Sequence, residues 1–171
     1  MLRAQAAAGV SATRVVVLSL LIFAGAFGTH EVMHLLVIYA VGAHGSLVVR
    51  PWRLGLVDVT ILAVHAQPDQ QLDLLRQALV NFLGPALAAV PLLALLVTVR
   101  EPVPRYALIA NMAVLAFYCV IETADLLIES QNIDLSVLTT PEFNYGVPAL
   151  IILVTAIAAK RQPRAAHEGS S

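Results

Sequence analysis

The strongest constraint on this chain is the apolar run from Val15 to Val41, about 27 residues in which Glu31 is the one carboxylate. As a helix it would rise about 40 Å at 1.5 Å per residue, more than a bilayer's hydrocarbon core of about 30 Å. The whole sequence agrees with that setting. It is 59% hydrophobic and 12% charged, against about 25% charged in soluble domains. We therefore expect an all-α integral membrane protein of about four transmembrane helices. Arg3 and Arg14, followed by Ala24-Gly25-Ala26, have the outline of a secretory signal with a cleavage site. The apolar sequence nevertheless resumes at Leu35, which suits an uncleaved span better.

Inside this run stands His30-Glu31-Val32-Met33-His34, an HExxH pattern. Imidazoles at i and i+4 lie one above the other on a helix face, so both can reach a single Zn²⁺. Glu31 stands beside them, placed to take a proton from water. The bland alternative is a set of polar groups that only pack helices together. The pattern is common in soluble helices, but charged side chains at membrane depth cost roughly 2.5–3.5 kcal/mol each by insertion scales. A third ligand must then come from elsewhere in the chain.

The remaining sequence divides readily. Residues 1–14 form a short lead. Gly42 closes the first span, about 15–41. Residues 44–66 are rich in β-branched residues, with Pro51-Trp52-Arg53-Leu54-Gly55 as turn material, and predict a membrane-associated β-hairpin between the first and second spans. Trp52, Arg50 and Arg53 would sit at headgroup level. His44, His65 and Asp58 in this region read first as plain polar residues. The second span, about 77–99, contains Asn81, Gly84, Pro85 and Pro91; glycine and proline there allow a kink or a close helix approach. The third, about 106–128, ends with Glu122 and Asp125, followed by Glu129, all on one helix face. A polar stretch at 129–143 precedes a fourth span, about 145–159. Residues 161–171 read as a disordered tail, leaving 15–160 as one domain. Cys119 is the one cysteine and reads as a small core hydrophobe.

With four spans, the first and third run in the same direction and the second returns. His34, Gly84-Pro85 and the pair Glu122 and Asp125 then fall in one layer, about 10 Å inside the hairpin-side surface. Three helices bringing their unusual residues to one depth define the candidate site.

On these pieces the chain resembles the site-2 protease family of intramembrane zinc metalloproteases. His30-Glu31-Val32-Met33-His34 matches the HExxH helix, Asn81-Phe82-Leu83-Gly84-Pro85 the Gly-Pro segment, and Ala124-Asp125-Leu126 the segment that supplies an Asp ligand. Their order along residues 15–128 also matches. The resemblance implies Zn²⁺ as cofactor, His30, His34 and Asp125 as metal ligands, and Glu31 as general base and later acid. It implies substrate contacts at Asn81, Gly84 and Pro85, and a hairpin that takes an unwound substrate helix as an added strand. The chain departs from the pattern in lacking a Pro-rich, Asn-containing lead before Asp125 and a Gly after it, and in having no domain between the second and third spans. Glu122 therefore stays open as the alternative third ligand. Glu122-Thr123-Ala124-Asp125 is also similar to a second group of membrane HExxH proteases, whose ligand Glu lies four residues before the Asp; here the spacing is three.

The function expected is cleavage of transmembrane segments of other membrane proteins, within the bilayer, with a regulatory membrane partner possible. The plasma membrane of a prokaryote is the expected setting. The alternative is a catalytically inactive, protease-like protein that binds a partner helix or metal. A metal or proton transporter ranks below both, because the ionisable groups cluster in one layer. A formal net charge of −1 argues against nucleic acid as a partner. Of the ten Lys and Arg, seven fall on the side of the lead, the 100–105 connector and the tail. That bias predicts cytoplasmic termini and an external hairpin, whereas several members of the family place the hairpin on the cytosolic side.

Overall fold

The computed structural model describes residues 10–54, 58–131, 133 and 136–161. Most of the lead, residues 55–57 with the expected turn residue Gly55, and the tail beyond Arg161 lie outside the described residues. The elements in order are α1 (Ala12–Ala40), β1 (Gly45–Leu54), β2 (Val59–Pro68), α2 (Leu74–Thr98), α3 (Pro102–Glu129), a short 3₁₀ turn (Ser136–Thr139) and α4 (Pro141–Arg161). All four α-helices are long and apolar enough to cross a membrane.

Local chemistry sets the boundaries. Ser11 caps α1 by accepting the Arg14 N–H, and Asp73 caps α2 by accepting the Arg76 N–H at 2.9 Å. Gly42 ends α1 at φ +81°, a left-handed conformation suited to glycine, while the Ala43 N–H returns to the Ile38 carbonyl. α4 begins at Pro141, four residues ahead of the expected Tyr145, so Gly146 and Pro148 lie inside it rather than at its start. A proline suits the first turn of a helix, whose N–H groups lack intrahelical partners anyway. Pro85 and Pro91 likewise lie within α2.

β1 and β2 pair antiparallel in the register Gly45↔Pro68 through Leu54↔Val59, two residues beyond the expected C-terminal limit at 66. Pro51, Trp52, Arg53 and Leu54, expected as turn, are instead the last residues of β1, because an edge strand tolerates a proline whose missing N–H would face outward. The hairpin packs against α1, with Ala66 in an apolar group formed around Val37, Ile38 and Val80. The helices meet over mixed alanine and larger aliphatic side chains: Ala26, Ala88, Leu92, Leu108 and Leu115 form one buried group, and Val15, Ala156 and Ala159 another towards the far end. Large apolar side chains such as Leu21, Val97 and Val120 remain exposed on the outside. An outer surface of that kind is stable against lipid rather than water.

A candidate metal centre beneath the hairpin

Three donor side chains converge between α1 and α3. His30, His34 and Glu122 each present a ligand atom, all within 4.8 Å of one another. His30 Nε2 and His34 Nε2 are 2.6 Å apart. Glu122 Oε1 lies 3.3 Å from the first and Oε2 3.1 Å from the second. Ligand atoms at 2.0–2.1 Å from a tetrahedral ion stand about 3.3 Å apart. The His–Glu separations meet that figure, and the two rings stand closer. Both histidines are buried and Glu122 is half-buried.

The helix geometry explains the convergence. His30 and His34 share a face of α1 by their i, i+4 spacing. Each ring is then held by neighbours. His34 Nδ1 is 2.9 Å from the Val80 carbonyl oxygen. A carbonyl can only accept, so Nδ1 carries the hydrogen and the Nε2 lone pair faces the other donors. Metal-binding histidines are oriented in this way by a second hydrogen bond. The contact depends on Gly84: a Cβ there would lie 2.3 Å from His34 Nδ1. His30 stacks on Tyr118, with ring centroids 5.4 Å apart and planes at 23°, and Phe27 meets its edge. Tyr118 is itself fixed by donating to the Asn144 carbonyl at 2.7 Å. His30 Nδ1 is buried without a hydrogen-bond partner.

Glu122 is placed by α2. Gln77 donates to Asn81 Oδ1 at 2.8 Å, and Asn81 Nδ2 donates to the Glu122 carbonyl at 2.9 Å. Gln77, Asn81 and Gly84 repeat at i, i+4 and i+7, so one stripe of α2 supports both the acid on α3 and the imidazole on α1.

Glu31 faces another way. It is buried, and its Oε2 accepts the Ala66 N–H of β2 at 2.8 Å, while Oε1 lies 3.8 Å from His65 Nδ1. A cavity of about 290 Å³ opens here, lined in part by Glu31, His34, His65, Asn81, Glu122 and Asp125. Trp52 also lines it and meets His65 and Tyr145 edge-on.

The expected site residues therefore separate. His30, His34 and Glu122 come together, and Glu31 borders the same cavity as His34 and Glu122. Asp125 also borders the cavity but stands outside the three-donor group, one turn further along α3. Asn81 and Gly84 touch the ligand-bearing residues directly, whereas Pro85 is buried within α2 and is not among the cavity-lining residues. His44 packs edge-on to Tyr39, away from the donors. Asp58 is exposed and paired with Arg53 at 2.6 Å. Cys119 is buried, as a small hydrophobe would be. The supporting roles of the Val80 carbonyl and the Ala66 amide had no sequence signal, because backbone groups are common to every residue. Tyr118 and Gln77 had only their helical spacing to the donors.

Two imidazole nitrogens and a carboxylate are a donor set that suits Zn²⁺ or a similar borderline cation; His34 is oriented by a second hydrogen bond, and His34 and Glu122 border the cavity. Comparison of the chain with protein-family models, curated proteins and solved structures yields no match.

Proposed function

We propose that this protein is an intramembrane zinc metalloprotease that hydrolyses peptide bonds in transmembrane segments of other membrane proteins. The observation that carries this reading is the convergence of His30, His34 and Glu122, of which His34 and Glu122 border a cavity that the Glu31 carboxylate also lines. We assign the third ligand to Glu122 rather than Asp125, because Glu122 alone of the two stands within reach of both imidazoles.

In this reading His30 Nε2, His34 Nε2 and a Glu122 oxygen would hold the ion. When bound, Zn²⁺ supplies Lewis-acid character, acidifying water and polarising a carbonyl. The chain's own groups do the rest. Glu31 accepts the proton of the attacking water and returns it to the leaving amine. Val80 keeps the His34 lone pair on the site, and Asn81 keeps Glu122 in place. β2 offers outward amides beside the cavity, on which an unwound stretch of substrate could be held by main-chain hydrogen bonds.

The test uses purified protein in detergent or vesicles. We expect about one zinc per chain, retained in Glu31→Gln, together with cleavage of a model transmembrane substrate by wild type but not by that variant. Equal cleavage by both proteins would remove Glu31 from the mechanism.

A second reading takes support from the Glu31–Ala66 hydrogen bond. A protein that binds metal and holds a partner helix without hydrolysis would keep its carboxylate tied to the hairpin. Zinc at one per chain without turnover of any transmembrane substrate would favour it.

A further inference from the structure

The hydrogen bonding of the hairpin makes the Ala66 amide more than a passive anchor. The Asp69 N–H donates to the His44 carbonyl at 2.9 Å. Antiparallel ladders alternate residue by residue between paired and outward-facing amides. With the register His65↔Val48 and Ala66↔Leu47, the amides of Gln67, His65, Ala63 and Ile61 therefore point into the hairpin. Those of Ala66, Val64 and Leu62 point out from the free edge of β2. The observed bond from the Ala66 amide to Glu31 agrees with this phase.

The two edges of the hairpin differ. On β1 the outward series includes Pro51, which has no N–H, and proline on an edge discourages further pairing. On β2 the outward series keeps its amides until Pro68 ends it. The cavity is bordered by His65, Ala66 and Pro68, so it is this donor-bearing edge that reaches the three-donor group.

Glu31 thus occupies the hydrogen-bond donor that a strand added to β2 beside the cavity has to use. One N–H cannot serve both the carboxylate and an incoming main-chain carbonyl in good geometry. We propose that Glu31 and an extended peptide compete for the Ala66 amide, so that docking of the peptide strand releases Glu31 from β2 into the cavity. The inference rests on the reading of the cavity as a peptide-binding, peptide-cleaving centre. Ala66 then acts as a positioning residue. Before a strand arrives it holds one carboxylate oxygen of the base against β2, and it gives the base up when a main-chain carbonyl takes its place. A buried carboxylate in hydrogen-bond contact with a single edge amide, and 3.8 Å from the His65 ring nitrogen, has the freedom this exchange requires. His65 also borders the cavity and stands next to Ala66, so it can follow the carboxylate when the Ala66 bond is broken.

Competition predicts a result that a simple general base does not: removing the base should improve peptide binding. The probe is a fluorescein-labelled, end-capped decapeptide rich in Val and Thr, titrated in detergent micelles by anisotropy against both zinc-loaded and chelator-treated protein. Hydrogen bonds to charged groups are among the stronger ones, so Glu31→Ala should bind this peptide about tenfold more tightly than wild type in both metal states. Adding Ala66→Pro, which deletes the amide, should abolish the gain. Glu31→Gln, which keeps an acceptor, should fall between wild type and Glu31→Ala. Equal or weaker binding by Glu31→Ala, or no binding by either protein, overturns the proposal. Amide exchange in unaltered protein gives a check that needs no variant. The Ala66 N–H should exchange more slowly than those of Val64 and Leu62, and equal rates would also overturn it. Failure of the hydrolase reading appears separately, as absence of turnover by zinc-loaded wild type, and does not enter these binding comparisons.

Discussion

Among the described residues, two of the places where polar side chains are buried lie on the seam between α1 and α3. In one, Asn111 of α3 donates to the carbonyls of Ser19 on α1 and of Ala107, at 3.1 and 2.8 Å. In the other, His30 and His34 of α1 meet Glu122 of α3. The spacing from Ser19 to His30 equals that from Asn111 to Glu122, eleven residues in each helix, or about three turns and 16 Å. Geometrically the two places are repeats of one contact; chemically they differ. At Asn111 a neutral donor finds backbone acceptors, and the hydrogen bonds lock two helices together. At His30, His34 and Glu122 the facing atoms are lone pairs: two ring nitrogens and a carboxylate. Such a group is stable at membrane depth only with a positive partner among its members, a proton or a metal ion. Burial of polar groups alone therefore does not mark a functional site. Convergence of acceptors does.

The sharpest way to break this comparison is to remove a convergent donor. His34→Ala and Glu122→Ala should each lower zinc from about one per chain to near zero by metal analysis, whereas Asp125→Ala should leave it unchanged. Loss of zinc in Asp125→Ala with retention in Glu122→Ala would reverse the assignment of the third ligand. Next in size, Glu31→Gln should slow hydrolysis of a transmembrane substrate by about 10²- to 10⁴-fold, the range of general-base contributions. Zinc content should not change, since Glu31 is not among the three convergent donors.

The support around the donors should show smaller effects. Gly84→Ala places a methyl group where the His34 ring stands, at 2.3 Å from Nδ1. We expect zinc affinity to fall by roughly 10- to 100-fold, as for loss of an orienting partner, with the helical content by circular dichroism retained. An unchanged affinity would mean that His34 can bind metal without its place beside α2. The smallest effect belongs to the other place. Asn111→Ala should cost about 0.6 kcal/mol of stability in a membrane-mimetic unfolding measurement, typical of an interhelical hydrogen bond in a bilayer. Its zinc affinity should equal that of wild type. A large loss of zinc in this variant would show that the two places are coupled along the seam.

Much of this was legible in the residues. The apolar runs announced four helices long enough to cross a membrane, β-branched residues announced the hairpin, and HExxH announced a pair of imidazoles on one face. Gly42 marked the end of α1, whereas the caps Ser11 and Asp73 start α1 and α2 three residues ahead of the expected Val15 and Gln77. The start of α4 was less legible. Gly146 and Pro148 look like boundary residues, yet Pro148 is buried within the helix. The choice between Glu122 and Asp125 was not legible at all. Both lie on one face of α3, separated by less than a turn, and spacing alone places either near the site.

What the sequence determined by itself is the class of molecule and the chemistry at its disposal. Periodicity, apolar length and capping depend on residues close together in the chain, and a bilayer admits few solutions for them. What only the tertiary structure decided is which groups meet. Glu122 rather than Asp125 faces the imidazoles because the Asn81 amide grips α3 at the Glu122 carbonyl. His34 turns its lone pair inward because Gly84 leaves room for the ring beside the Val80 carbonyl. Glu31 rests on the Ala66 amide because the register of the hairpin turns that N–H outward. Each of these depends on the relative rotation of elements far apart in the chain. That rotation is set by packing over mixed alanine and larger aliphatic side chains and by backbone hydrogen bonds, neither of which leaves a distinctive mark in the order of the side chains.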